Sequence, residues 1–131
     1  MYGVPADLDL SVFQGSRLTQ MRILDTGMVY FDFGELEPRG EIGVEGRWIV
    51  QAPDGCIVER TRDASVTENP KGDIRGSAAP LLRVVGRVVT AWRVDPPTSF
   101  TLVFDDGSTL TVFDDSDRLE SFCIYPLLVF V

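Results

Sequence analysis

Asp105, Asp106, Asp114, Asp115 and Asp117 fall within thirteen residues of one another. Clustered carboxylates have three kinds of chemistry open to them: holding a hard cation, acting as general acid and base, or meeting a positive surface. A Ca²⁺ or Mg²⁺ loop needs several oxygens at set spacing, and Asp114-Asp-Ser-Asp117 lacks the glycine and terminal glutamate of an EF-hand. Glycosidic chemistry needs two carboxylates roughly 5 to 9 Å apart across a cleft, and nothing singles out such a pair among twenty acidic residues. With no histidine in the chain, Ser-His-Asp and Cys-His arrangements, His-bearing zinc sites and the usual neutral-pH proton shuttle are absent. Ser16 and Ser121 have no base partner, and Lys71 sits in a polar stretch rather than in an apolar pocket that would lower its pKa. Cys56 and Cys123 belong to no Cys-x-x-Cys motif and read as small buried hydrophobes. No catalytic residue, metal or cofactor is expected, which leaves the acids to binding.

Charge narrows the partner. Twelve basic residues against twenty acidic ones give a net charge of -8 and a pI near 4.4, so phosphate backbones and anionic membrane surfaces are repelled. Neither nucleic acid nor membrane is an expected partner; a basic protein is. Residues 1–10 show no basic region followed by an apolar signal core, so a cytoplasmic location is expected. The longest apolar run, Ile124 to Val131, is interrupted by Pro126 and falls well short of the ~20 residues that span a bilayer.

The elements that position these groups are strands. Val29, Phe31 and Phe33 alternate with polar residues, as do Phe100, Leu102 and Phe104 and then Leu110 and Val112, and no helical stripe is sustained. Strands are predicted at 18–24, 28–33, 41–44, 47–52, 56–60, 87–94, 99–105, 108–113 and 120–125, punctuated by Gly, Pro and Asp. A three-residue loop, Asp105-Asp106-Gly107, sets Leu102 against Leu110 and Phe100 against Val112, and requires Gly107 in the left-handed region. Residues 61–79 read as a polar connector, and residues 78–86 as one helical turn begun by Pro80 and stopped at Gly86, or as a continuing strand.

A shift of 71 residues aligns Gly15 with Gly86, Arg22 with Arg93, Val29 with Phe100, Phe31 with Leu102 and Phe33 with Phe104 without a gap. Three extra residues between Glu35 and Gly40 then bring Ile42 opposite Leu110 and Val44 opposite Val112. The expectation is a single domain, 1–131, with an internal duplication over about 12–60 and 82–125 joined by a connector at 61–81. Each copy is too small to bury its apolar face alone. The fold expected is all-β: two similar antiparallel meanders packed as a sandwich or partly open barrel, with at most one short helix.

The second copy carries Leu82-Arg-Val-Val-Gly86-Arg-Val-Val89, then Phe100-Thr-Leu-Val-Phe104-Asp-Asp-Gly107-Ser-Thr-Leu110-Thr-Val112, and Leu119-Glu-Ser-Phe122. It resembles a bacterial family of small two-copy β domains whose relatives include predicted immunity proteins that accompany toxins. The first copy departs from that pattern, with Gly34-Glu35-Leu36 where the second has Asp105-Asp106-Gly107. The resemblance implies binding rather than catalysis and brings no catalytic residues.

A non-enzymatic binding module is therefore expected, an immunity-type protein covering a basic toxin domain with an acidic surface. Two acidic regions compete for that role: Glu35, Glu37, Glu41 and Glu45, and the denser Asp114, Asp115, Asp117 and Glu120. The second is preferred, with Asp105, Asp106 and Trp92 as further contacts; Trp92 lies on a strand face of mixed character, unlike core-type aromatics. The alternatives are a self-assembling β domain, with Leu127 to Val131 pairing in the parent sheet or with a second copy, and a hydrolase using acidic residues.

Overall fold

Val29, Phe31 and Phe33 are fully buried while Tyr30 and Asp32 between them are only partly so, the alternation a pleated strand imposes when one face is covered. The same holds for Leu110 and Val112. The computed structural model describes residues 3–24, 28–35, 40–61, 73–114, 121–125 and 129–130. Its strands are β1 (Leu18–Ile23), β2 (Val29–Phe33), β3 (Gly40–Val44), β4 (Trp48–Gln51), β5 (Ile57–Thr61) and β6 (Asp73–Gly76), followed by β7 (Val89–Asp95), β8 (Ser99–Phe104), β9 (Thr109–Phe113), β10 (Phe122–Tyr125) and β11 (Val129–Phe130). They form two antiparallel sheets, β1-β2-β3-β10-β11 and β6-β5-β4-β9-β8-β7, packed as a sandwich that does not close into a barrel. One short helix, α1 (Ala79–Val84), and a 3-10 turn at Ser11–Phe13 complete the described elements. No helix among them is long and apolar enough to cross a membrane.

One core joins the sheets. The Phe31 ring of the first sheet meets Trp48 of the second edge-on at 5.7 Å, and Phe100 of the second meets Phe122 of the first at 5.0 Å. Beside Trp48, Arg60 is 2% exposed, and its Nη1 donates to the carbonyl of Glu45 at 2.6 Å. That guanidinium ties down the link between β3 and β4, where the chain leaves one sheet for the other.

This crossing was not legible in the sequence. Rather than each half forming its own sheet, β1-β2-β3 are completed by β10 and β11, and β7-β8-β9 by β4 and β5. The two crossings correspond: Trp48 pairs with Val112 and Val50 with Leu110, while Phe122 pairs with Val44 and Ile124 with Ile42. Hydrogen bonds near the start of β1 and β7 are also related by the 71-residue shift. Leu18 N–H donates to Arg87 O at 2.9 Å and Val89 N–H to Ser16 O at 2.9 Å; Gly86 N–H donates to Leu18 O at 2.7 Å and Gly15 N–H to Val89 O at 2.8 Å. A bulge breaks β1 between Leu18 and Gln20 and β7 between Val89 and Ala91.

The β8–β9 hairpin has the expected register, with Leu102 opposite Leu110, Phe100 opposite Val112 and Gly107 at φ +88°. Residues 79–84 are helical, with Pro80 in the first turn and Gly86 at φ +94° just beyond the end. The stretch expected as a connector departs from that reading, because Asp73–Gly76 pairs with β5 as an edge strand. Its one large apolar residue, Ile74, is 48% exposed, so no alternation marks it. At the other end of the chain, Val129 and Phe130 pair with β10 of the same sheet.

Candidate functional site

Because Val29, Phe31 and Phe33 face the core, β2 must turn Tyr30 and Asp32 to the outer face of the first sheet. The register sets Arg22 beside Tyr30, and Gln20 beside Asp32, which is itself beside Glu41. Arg22 reaches across from β1. Its Nε and Nη2 donate to the two Asp32 oxygens at 2.8 and 3.1 Å, and Nη2 also donates to Glu41 Oε1 at 2.8 Å. The guanidinium lies over the Tyr30 ring at 4.6 Å, and Gln20 Nε2 donates to Asp32 at 2.9 Å. Fork-shaped pairing of this kind fixes direction as well as charge. The bond to Asp32, with the nearby Glu41 charge, raises the Arg22 pKa.

Tyr30 lies in a hollow made by Gly43. A Cβ there would fall 2.8 Å from Met28 Cε, 2.8 Å from Tyr30 Cε1 and 3.0 Å from Cys123 Sγ. Burial, and then the proximity of Cys123, Glu41 and Tyr125, pushes the phenol pKa upward.

Around this network lies an open groove of about 610 Å³ whose lining includes Thr19, Gln20, Arg22, Asp32, Glu35 and Glu41. It adjoins a hollow of about 350 Å³ at Gly15, Ser16 and Arg17, sharing Gly34 and Glu35 with it. Three carboxylates line the groove with Arg22, and Arg17 of the adjoining hollow pairs with Glu35 at 3.8 Å, so the combined lining is acidic by one charge. The corresponding strands of the second sheet carry Val103 and Thr109 where the first has Asp32 and Glu41, and there Arg93 pairs with Asp95 at 3.2 Å. The fold therefore does not require the acidic network.

No family model, curated protein or solved structure matches the chain.

The preferred acidic residues are scattered. Asp106 has a side chain only 8% exposed; it accepts from Arg83 Nε at 2.9 Å and from the Ser108 N–H and Oγ at 2.9 and 3.0 Å. That carboxylate closes the hairpin onto α1. Asp105 is exposed at the same turn. Asp114, at the opposite end of β9, is half-buried and accepts from Ser121 Oγ at 2.8 Å. Asp115, Asp117 and Glu120 lie outside the described residues, as does Glu37. Trp92 is half-buried and packs against the core. Of the other acidic region, Glu35 and Glu41 line the groove.

No local sequence signal marks Asp32 or Arg22 for binding. The signal that finds them is cross-strand: once the turns fix β1-β2-β3 as a meander, Arg22, Asp32 and Glu41 fall on one outer face. Among the described residues, no three His, Cys, Asp or Glu side chains converge as a metal site. The two cysteines are not joined: Cys56 is exposed and Cys123 buried.

Proposed function

We propose that the chain is a non-catalytic binding module that meets a basic protein partner through the outer face of its first sheet. The observation that carries this reading is the groove lined by Asp32, Glu35 and Glu41, where Arg22 pairs with Asp32 and Glu41 and Arg17 with Glu35, on a chain of net charge -8. Charge of one sign gathered on a rigid sheet steers an oppositely charged partner and rejects others. Asp32 and Glu41 both engage Arg22, which fixes the direction of both carboxylates on the outer face. The resemblance to immunity-type domains adds a role: covering a basic toxin in the cytoplasm of the cell that makes it.

The test is capture from an extract of the native host at low and high salt, using the full chain and a Glu35→Lys/Glu41→Lys double variant. The reading expects a basic protein to be retained at low salt, released at high salt and lost by the variant, with the variant's melting temperature nearly unchanged. Salt-insensitive capture, or equal capture by the variant, would reject it.

A further inference from the structure

We infer that β1 is the docking edge, and that a basic, extended segment of the partner adds to it as a further antiparallel strand with its cationic side chains over the groove. This rests on the acidic-groove reading and gives it a mode of recognition.

The first sheet ends at β1. Beside it, the β7 segment pairs only at its beginning, through the bridge between Arg17 and Val88 and the Leu18 hydrogen bonds. Beyond Leu18, no described strand covers the outer edge of β1. Leu24 N–H donates inward to Met28 O at 2.9 Å, and alternate residues of an antiparallel strand turn their backbone groups to opposite sides. Met21 and Ile23 therefore turn their N–H and C=O groups outward.

Side chains at this edge favour an addition. Ile23, which shares the inner face with Val29, is 60% exposed, so an incoming strand gains apolar contact along the inner side. On the outer side Arg22 does not guard the edge, because Asp32 and Glu41 draw its guanidinium back over the sheet. The corresponding edge strand β7 differs. Its Arg93 is 65% exposed and pairs with Asp95 of the same strand, leaving charge along the edge in the way that discourages pairing.

Complementarity selects the occupant. A strand added at about 4.8 Å from β1 brings long basic side chains toward the nearest groove carboxylate, Asp32 of β2. A second copy of this chain brings net charge of -8 to an acidic face, so a basic partner is the better fit. In antiparallel pairing, the residues that exchange hydrogen bonds with Met21 and Ile23 share their inner face, so the partner's apolar residues make the backbone bonds and its basic residues face outward.

The probes are capped peptides of about nine residues alternating valine and lysine, used in three forms: unmodified, N-methylated at the valines, and N-methylated at the lysines. Binding to the full chain is followed by fluorescence anisotropy and by amide hydrogen exchange. Strand addition predicts that the unmodified and lysine-methylated peptides bind and slow exchange at Met21 and Ile23. Valine methylation should weaken binding roughly tenfold or more. Ile23→Pro, which removes an outward donor and leaves the β1–β2 bonds in place, should weaken it to the same degree with the melting temperature nearly unchanged. Should that variant fail to fold, the exchange data on the unaltered chain decide. Equal binding of all three peptides without amide protection would overturn strand addition while leaving the acidic groove standing. No binding of any peptide would overturn it as well. A dimer of the chain that Ile23→Pro converts to monomer would replace the basic partner with a second copy.

Discussion

Arg17 and Val88 stand 71 residues apart and form an antiparallel bridge with each other, so each pairs with its own counterpart in the other half. Such a contact is what a local two-fold axis produces where it passes between two copies. The hydrogen bonds on either side obey the same exchange: Gly34 N–H donates to Arg17 O and Asp105 N–H to Val88 O, each at 2.8 Å.

Gly15 and Gly86 occupy corresponding places at φ +82° and +94°, and a Cβ at either would meet nothing within 4 Å. Alanine at each therefore costs only the left-handed backbone, about 1 kcal/mol. Gly15→Ala and Gly86→Ala should lower the denaturant midpoint by equal amounts; a large inequality would show that the two turns are not mechanically equivalent.

Arg60→Met keeps much of the side-chain volume but leaves the Glu45 carbonyl without its buried donor. The expected loss is about 2–3 kcal/mol in denaturant unfolding. A neutral result would mean that the crossing between β3 and β4 does not depend on this guanidinium.

Asp106 links pH to stability. Burial acts to raise its pKa, but donation from Ser108 and Arg83 outweighs burial, and the pKa is lowered. Its contribution is therefore present above the unfolded carboxylate's pKa, near 4, and is lost as pH falls through the lower folded value. Asp106→Asn should be less stable than wild type at pH 7, and the two melting curves should converge in acid.

The two thiols should react differently. Cys56 is exposed, but its bond to Asp54 and that carboxylate's charge raise its pKa, so alkylation at neutral pH should be slow and Asp54→Asn should speed it. Cys123 is 5% exposed and should label only in denaturant.

Strand positions were legible because one buried face writes itself as alternation: Phe100, Leu102 and Phe104 announce β8, and Gly107 sets its register to β9. Edge strand β6 carries no such signature, since Ile74 is largely exposed. Alternation also assigns faces without assigning neighbours, so the pairing of β3 with β10 and of β4 with β9 stayed hidden. From the sequence Asp106 reads as a partner contact, because Arg83 and Arg87 approach it only after α1 folds back onto the hairpin. Glu41 was visible as one acid among several, but its partnership with Asp32 and Arg22 exists only once three strands lie side by side.

The exchange of strands between halves also governs the order of assembly during synthesis. When β1 to β3 have left the ribosome, the outer edge of β3 has no partner, because β10 is made much later in the chain. The first half thus waits with an open edge, a hazard for premature pairing with a neighbouring nascent chain. Contacts this distant in sequence also favour slow folding, and the two sheets should form together in one late, cooperative step.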